Sequence, residues 1–155
     1  MQGNEKIIAT LNSLLADELT AINQYIVHSE MCHNWGYEKL HGKIEKRAVD
    51  EMKHAEKLIA RIIFLEGQPE VGSLGKIHVG ADVGVQFKND QTAETGAIKA
   101  YNTAIRLASD CGDNVTRELL ESILKDEDDH IDWLEAQLDQ ISQMGLQNYL
   151  AQQVS

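Results

Sequence analysis

Apolar side chains recur every three or four residues along most of the chain, which is the spacing of one face of an α-helix. Between residues 38 and 66, for example, Ile44, Ala48, Leu58 and Ile62 follow this spacing, and most positions between them are polar or charged. The pattern predicts four long helices and one short one, over residues 5–35, 38–66, 83–111, 114–144 and 146–154. It therefore predicts an all-α fold.

The breaks between these helices predict how they are connected. Gly36 and Gly112 interrupt the pattern only briefly, so each is expected to join two neighbouring helices. The only proline, Pro69, lies in a glycine-rich stretch over residues 67–84, which predicts a long crossover between helices two and three. The result is a four-helix bundle with a short fifth helix. That helix is too short to be stable alone, and we expect it to dock on another part of the assembly, a neighbouring subunit included.

The chain contains an internal repeat. Glu18, Glu51 and His54 recur 76 residues later as Glu94, Glu127 and His130. Further matches extend the repeat: Ala21, Ile22 and Tyr25 with Ala97, Ile98 and Tyr101, and Asp50 and Leu58 with Asp126 and Leu134. A duplicated helix–turn–helix unit that packs against its copy would place both halves around one pseudo-two-fold axis.

The repeated residues have the chemistry of a dinuclear metal site. Each half offers a lone Glu followed 33 residues later by Glu-x-x-His, the arrangement that holds two metal ions inside a four-helix bundle. At about 100° per residue, Glu51 and His54 lie only about 60° apart, on the same face as the apolar residues of their helix. A buried, unpaired carboxylate is unfavourable, and a cation offsets its desolvation. Oxygen ligands with two imidazoles favour iron, and manganese second.

Composition limits the remaining possibilities. A length of 155 residues fits one soluble domain, and 43% apolar content builds a core without any run long enough to span a membrane. The formal net charge of −11 argues against nucleic acid as a partner. No signal-like segment appears at residues 1–8, so we expect a cytoplasmic location. Cys32 and Cys111 lack the spacing of a metal site or disulfide framework and are expected to be reduced.

Four segments carry a resemblance to a known family. They are Leu-Thr-Ala-Ile-Asn-Gln-Tyr at 19–25, Asp-Glu-Met-Lys-His-Ala at 50–55, Phe-Leu-Glu-Gly at 64–67 and Met-Gly-Leu-Gln-Asn-Tyr-Leu at 144–150. With them the chain resembles the bacterioferritins from end to end, and it lacks the rubredoxin-like cysteine module of rubrerythrins. The resemblance implies a ferritin-like bundle and a shell of 24 subunits that oxidises Fe(II) with dioxygen and stores ferric mineral. The shell would contain this chain alone or also a second ferritin subunit, with an electron-donor protein for iron release.

The resemblance also assigns roles to residues. It implies that Glu18, Glu51, His54, Glu94, Glu127 and His130 are the ligands of a di-iron ferroxidase centre, with Glu51 and Glu127 as bridges. Tyr25 matches the family's tyrosine beside that centre, whereas Tyr101 is either a second such tyrosine or, as we favour, plain core. Met52 matches the axial ligand of a haem b that sits on the subunit two-fold, with one thioether from each chain.

The helix pattern gives independent support for an interface at Met52. About 100° around the helix from Glu51, Met52 cannot point into the same bundle centre. Ile59 and Ile63 fall on its side and form an apolar stripe that would be exposed in a monomer. The stripe predicts a dimer interface.

Two features depart from the family pattern or stand outside it. Several bacterioferritins carry His or acidic residues just before Asp-Glu-Met as an accessory iron site, whereas this chain has Lys46 and Arg47 there and keeps only Asp50. We therefore do not expect the accessory site, and a pair of cations at these positions would slow or reroute iron passage near the centre, so the sequence does not define the iron entry route. His28, His33, His41 and His78 have no partner at metal spacing on one helical face, so they are expected to be surface or structural residues.

Three functions remain. The first and favoured one is a haem-containing iron-storage ferritin with ferroxidase activity. The second is a di-metal peroxidase or catalase of the same bundle class, which uses similar ligands in a smaller assembly. The third is a structural shell subunit with a weakened metal site, which would assemble without oxidising Fe(II).

Overall fold

The computed structural model describes residues 1–155 and contains five helices and no strands. The helices are α1 (Glu5–Asn34), α2 (Glu38–Phe64), α3 (Val83–Asp110), α4 (Asn114–Met144) and α5 (Leu146–Ala151). The prediction of a four-helix bundle with a long crossover and a short C-terminal helix is confirmed. The predicted ends of α1, α2 and α3 run one or two residues too far, and α5 ends at Ala151 instead of residue 154. No helix is long and apolar enough to cross a membrane.

Polar side chains and glycines define the ends of the long helices. Asn4 caps α1 by accepting hydrogen bonds from the backbone N–H groups of Lys6 and Ile7. Asp82 and Asp113 cap α3 and α4 in the same way. At the opposite end of α1, Gly36 adopts a φ of 83°, a backbone conformation that glycine reaches without strain. The turn at Gly36 folds α2 back along α1.

The bundle interior contains two hydrophobic clusters separated by a polar layer. Along α1 the buried residues Leu11 and Leu15 belong to the first cluster, Glu18 follows, and Tyr25 and Cys32 belong to the second. The same change occurs in α2 at Glu51, in α3 at Glu94 and in α4 at Glu127. Because the repeat places these four residues at one level of the bundle, a buried layer of carboxylates crosses it between two apolar cores.

The crossover between α2 and α3 follows a path fixed by one side of α1. Four polar residues of α1 bond to its backbone, at spacings of four or eight residues. Asn12 pairs with Gln68 and Glu70, Thr20 accepts from Gly75 at 2.8 Å, Gln24 accepts from His78 at 3.0 Å, and His28 accepts from Gly80 at 3.0 Å. The crossover is therefore anchored to α1 along much of its length.

The fifth helix docks on its own bundle. Tyr149 is fully buried, and its hydroxyl donates to Gln137 Oε1 of α4 at 2.6 Å. Its ring packs edge to face against Phe87 of α3, with ring centroids 6.1 Å apart. These contacts make α5 part of the second hydrophobic cluster.

Candidate metal centre

The six residues of the repeated set converge in the polar layer. They are Glu18 on α1, Glu51 and His54 on α2, Glu94 on α3, and Glu127 and His130 on α4. Their ligand atoms form two overlapping groups, each within 4.8 Å: Glu18, Glu51, His54 and Glu127 in one, and Glu51, Glu94, Glu127 and His130 in the other. Glu51 and Glu127 belong to both groups, so the arrangement offers two adjacent cation positions with two shared carboxylates.

Both imidazoles turn the same ring nitrogen towards the centre. His54 Nδ1 lies 3.1 Å from Glu127 Oε1 and 3.6 Å from Glu51 Oε2. His130 Nδ1 lies 3.2 Å from Glu51 Oε1 and 3.7 Å from Glu127 Oε2. Each histidine thus faces both shared carboxylates, as the pseudo-two-fold repeat requires.

An aspartate lies on the other side of each imidazole, and Asp126 forms a hydrogen bond with His54. His54 Nε2 lies 2.9 Å from Asp126 Oδ2, and His130 Nε2 lies 3.4 Å from Asp50 Oδ2. A hydrogen held on Nε2 leaves the Nδ1 lone pair free to bind a cation, which is the usual arrangement around metal-binding histidines. Sequence reasoning noted that Asp50 and Asp126 correspond in the repeat but gave them no role in the site. Their position directly before Glu51 and Glu127 was the available signal.

The hydrogen-bonding balance shows that the centre fits cations. Each of the six residues has one buried polar atom without a hydrogen-bond partner: Glu18 Oε2, Glu51 Oε1, His54 Nδ1, Glu94 Oε2, Glu127 Oε1 and His130 Nδ1. Elsewhere in the chain only Arg117 Nε is in that condition. Buried polar atoms are nearly always paired, and an orphaned one is unfavourable. Six of them directed at one point are an arrangement that a bound cation would stabilise.

The protonation of the metal-free centre leads to the same conclusion. Burial and the neighbouring Glu18 carboxylate raise the pKa of Glu51 well above its usual range, and burial together with Glu127 does the same to the pKa of Glu94. Burial also opposes ionisation of Glu127, but the neighbouring Glu94, His130 and His54 side chains outweigh it and lower the pKa of Glu127. Without cations, the centre therefore keeps protons between its carboxylates.

Two buried tyrosines bond to the outer carboxylates. The Tyr25 hydroxyl donates to Glu94 Oε1, and the Tyr101 hydroxyl donates to Glu18 Oε1 at 2.5 Å. The two are repeat partners, and each belongs to a different hydrophobic cluster. The interpretation of Tyr101 as plain core was therefore wrong, since its hydroxyl orients a candidate ligand.

Arg47 is a buried neighbour of the centre and not a surface cation. Only 5% of it is exposed, and its guanidinium lies 5.7 Å from the ring centre of Tyr25 and 5.4 Å from that of Trp133. Its Nη2 donates to the backbone oxygen of His130 at 3.2 Å. Lys46, in contrast, is exposed and pairs with Asp50 at 3.3 Å.

Two cavities lead to the centre from its sides. The larger, of about 500 Å³, opens between α1 and α3 beneath the crossover and reaches Glu18, Glu51, Glu94 and Glu127. The smaller, of about 320 Å³, reaches only His130 of the six residues. Its other lining residues are Lys43, Lys46, Arg47, Asp50, Asp126, Asp129 and Trp133.

The remaining histidines divide into two kinds. His28 is a buried structural residue, with Nδ1 3.0 Å from Asp90 Oδ1 and Nε2 accepting from Gly80. His78 is exposed and lines the larger cavity. The expectation that no histidine outside the repeat has a partner at metal spacing is wrong for His33 and His41, which lie together with Glu38. The turn at Gly36 brings them together, and periodicity along one helix does not predict that contact.

Comparison with known proteins agrees with the fold and the repeated set. The ferritin-like domain family matches residues 8–144. The bacterioferritin of Mycobacterium leprae is 39% identical over 155 residues, which cover 100% of this chain and 98% of that protein. The bacterioferritin of Rhodobacter capsulatus is 38% identical over 149 residues, covering 96% and 92%.

The chain belongs to the bacterioferritin family. The two groups around Glu51 and Glu127 are therefore the buried carboxylate and imidazole cluster of an iron-storage protein. The same full-length likeness holds for bacterioferritin BfrA of Mycobacterium tuberculosis, at 38% identity over 155 residues.

Met52, which the family resemblance predicts to be a haem ligand, lies on the outer face of α2. Met52 is 45% exposed, and Ile63 is exposed on the same side of the helix. The prediction that Ile59 belongs to this exposed stripe was wrong, because Ile59 is partly buried and packs against the first hydrophobic cluster. A thioether on a surface stripe of this kind can reach a group shared with a second subunit but cannot reach the bundle interior. Each chain supplies one Met52 thioether, so a group held by two of them would need two chains.

Proposed function

We propose that this chain is a ferroxidase subunit that binds two Fe(II) ions at the six converging residues and oxidises both to Fe(III). Dioxygen takes the two electrons together with two protons and leaves as hydrogen peroxide, and the Fe(III) is delivered to a stored mineral in the cytoplasm. The observation that carries the proposal is the set of six buried, unpaired ligand atoms in two groups that share Glu51 and Glu127. Mixed oxygen and imidazole donors suit iron, and two adjacent ions allow a two-electron reaction.

The residues divide the work by position. Glu51 and Glu127 bridge the two substrate ions, Glu18 and His54 complete one position, and Glu94 and His130 complete the other. Carboxylates favour the higher charge of Fe(III), so the ligand set makes Fe(II) easier to oxidise. When cations enter, the protons retained on Glu51 and on Glu94 must leave, so iron uptake releases protons.

Neighbouring residues hold these ligands in place. The hydrogen bond to Asp126 keeps the hydrogen on Nε2 of His54, which leaves Nδ1 to its ion, and Asp50 lies on the corresponding side of His130 at 3.4 Å. Tyr25 and Tyr101 donate to one oxygen of Glu94 and of Glu18, so the other oxygen of each carboxylate faces the iron. Tyr25, whose ring lies 5.7 Å from the Arg47 guanidinium, is the tyrosine that we assign to the reaction.

We further propose that 24 subunits form the storage shell, built from dimers that hold a haem b between two Met52 side chains. The exposed stripe of Met52 and Ile63 supports this, because an apolar face of this kind becomes buried when two copies meet. When bound, the haem supplies an electron path for the release of stored iron. An electron-donor protein would use that path, and a second ferritin subunit is compatible with the same contacts.

The test is stopped-flow oxidation of about two Fe(II) per subunit by dioxygen on metal-free shell. Glu127→Ala should abolish the fast phase because it removes a ligand of both ions. Glu135→Ala, an exposed carboxylate on the same helix, is the matched control and should keep it. Circular dichroism and native mass establish that both variants fold and assemble.

Each competing function predicts a different result. A wild-type shell without a fast phase would identify a structural subunit. A small oligomer that consumes hydrogen peroxide faster than it oxidises Fe(II) would identify a di-metal peroxidase or catalase. A fast phase that survives Glu127→Ala would overturn the assignment of the six residues.

A further inference from the structure

A second group of metal-binding side chains lies where α1 ends and α2 begins. His33, Glu38 and His41 place one ligand atom each within 4.8 Å of one another. His33 Nδ1 lies 2.8 Å from Glu38 Oε1, and the two imidazole rings have centroids 4.7 Å apart. None of these residues belongs to the dinuclear centre.

The local sequence repeats a motif of the dinuclear centre. Glu38 and His41 are separated by three positions on α2, the same Glu-x-x-His spacing as the two pairs of the repeated set. The third residue comes from the preceding helix, because the tight turn at Gly36 folds His33 over the first turn of α2. Gly36 N–H donates to His33 O at 3.0 Å, and Tyr37 N–H donates to Cys32 O at 2.9 Å.

His41 is oriented as a metal ligand would be. Its Nδ1 lies 3.1 Å from the backbone oxygen of Ser29 and 2.9 Å from the Ser29 hydroxyl. A backbone oxygen only accepts, so Nδ1 carries the hydrogen and Nε2 keeps its lone pair. The buried Ser29 fixes the ring, which is the supporting contact that metal-binding histidines commonly have.

Further oxygen donors surround the free nitrogen of His41. Its Nε2 lies 3.7 Å from Glu45 Oε2, and Glu30, His41 and Glu45 form an overlapping group with ligand atoms within 4.8 Å. A cation at His41 can therefore recruit an additional carboxylate from either helix. His41 is the residue common to both groups.

We propose that His33, Glu38 and His41 bind one divalent transition-metal ion, such as Zn²⁺ or Fe²⁺, at a mononuclear site separate from the dinuclear centre. Two imidazoles select such ions over Mg²⁺ and Ca²⁺, which prefer oxygen ligands alone. Three protein ligands leave a coordination position for water or for Glu45. The bound ion ties the end of α1 to the start of α2.

The test counts Zn²⁺ on the metal-free shell by equilibrium dialysis and elemental analysis. Wild type should bind one equivalent more per subunit than His33→Ala, and His41→Ala should lose the same equivalent. His33 is exposed and bonds only to Glu38, so its removal leaves the fold intact. His78→Ala is the matched control, an exposed histidine outside the group, and should bind as much Zn²⁺ as wild type.

A second measurement separates this site from the dinuclear centre. Glu127→Ala should lose Zn²⁺ from the centre and keep the equivalent that His33→Ala removes. In crystals soaked with Zn²⁺, anomalous density should lie about 2.1 Å from His41 Nε2. The proposal is overturned if His33→Ala binds as much Zn²⁺ as wild type, or if Glu127→Ala binds none.

Discussion

The α1–α2 half of the metal centre encloses its histidine, whereas the α3–α4 half leaves its histidine partly open. The His54 side chain is 2% exposed and lies 2.9 Å from Asp126. The His130 side chain is 12% exposed, and its distance to Asp50 is 3.4 Å. The duplicated ligands thus occupy matching positions, but their surroundings differ in how firmly they hold the ligand and in how much water reaches it.

The cause of the difference is a set of residues that the repeat does not share. His130 lines the smaller cavity with Lys43 and Arg47. Asp50 is also engaged by Lys46, which competes for the carboxylate that supports His130. A repeated motif therefore fixes which groups meet at the centre, while unrepeated neighbours decide the stability and access of each half.

The largest effect should come from the two carboxylates that both halves share. Glu51→Ala removes a ligand from both cation positions, so tight binding of Fe(II) and the fast oxidation phase should both disappear. Glu94→Ala removes a ligand from one position only and should leave about one tight cation per subunit at the centre, in addition to the ion at His33, Glu38 and His41. Isothermal titration of metal-free shell with Zn²⁺ counts the bound cations, and stopped-flow oxidation of Fe(II) measures the fast phase. Equal losses in the two variants would contradict the shared role of Glu51.

The next largest effect should be on cation affinity, and it should differ between variants of Asp126 and Asp50. Asp126→Ala should weaken cation binding on the His54 side by roughly tenfold, in the range found when outer-shell partners of metal ligands are removed. Asp50→Ala should have a smaller effect, because its contact with His130 is longer and is shared with Lys46. Competition titration with a metal chelator gives both affinities. A larger loss in Asp50→Ala would reverse the comparison between the halves.

The metal-free shell should become less stable as the pH rises. Groups whose pKa is raised on folding stabilise the fold below their unfolded pKa and lose that contribution as the pH rises through the folded value. Burial and neighbouring carboxylates raise the pKa of Glu51 and Glu94. Burial opposes the charged form of His54, but the adjacent Glu127 and Glu18 carboxylates outweigh it and raise the pKa of His54. The pKa of Glu127 is lowered instead, but Glu127 is ionised in both the folded and the unfolded chain above an ordinary glutamate pKa of about 4.3. It therefore adds no pH dependence in the range tested.

Thermal unfolding between about pH 5.5 and 8 checks this trend, since the lower limit lies above ordinary carboxyl values and the upper limit above an ordinary histidine. The midpoint of metal-free wild type should fall across that range, and saturating Zn²⁺ should flatten the fall. A midpoint that rises with pH in the absence of metal would contradict the assignment of protons to the centre.

The smallest effect should come from Arg47. Its positive charge lowers the pKa of Glu94, although burial and Glu127 raise it more. Arg47→Gln should therefore slow Fe(II) oxidation by a few-fold, since Glu94 would hold its proton more firmly and His130 O would lose a donor. Lys46→Gln, which removes an exposed charge from the neighbouring position, should change the rate less. Stopped-flow traces of the two variants distinguish a buried neighbour from a surface charge.

The helices and the six candidate ligands could be predicted because both depend on spacing along the chain. A period of three to four residues specifies a helix, and an offset of 76 residues brings Glu18 and Glu94 to the same level. The roles of Tyr101 and Arg47 could not be predicted, because each depends on a contact between different helices. Arg47 is buried through Trp133 on α4, and Tyr101 bonds to Glu18 on α1.

The contact between His33 and His41 was not predicted from the sequence, for a related reason. The two residues flank a turn, so a search for ligands on one helical face excludes them. The Glu38-x-x-His41 spacing was visible in the sequence. That spacing suggests a metal site only when His33 lies beside it, and the turn at Gly36 determines where His33 lies.

The two apolar clusters fill the bundle interior on either side of the carboxylate layer. Leu11 and Leu58 fill the bundle on one side of the layer, and Phe87 and Leu134 fill it on the other. The two cavities that reach the centre open between the helices and not along the axis. A cation can therefore enter or leave the carboxylate layer from the side while the core that holds the helices together stays packed.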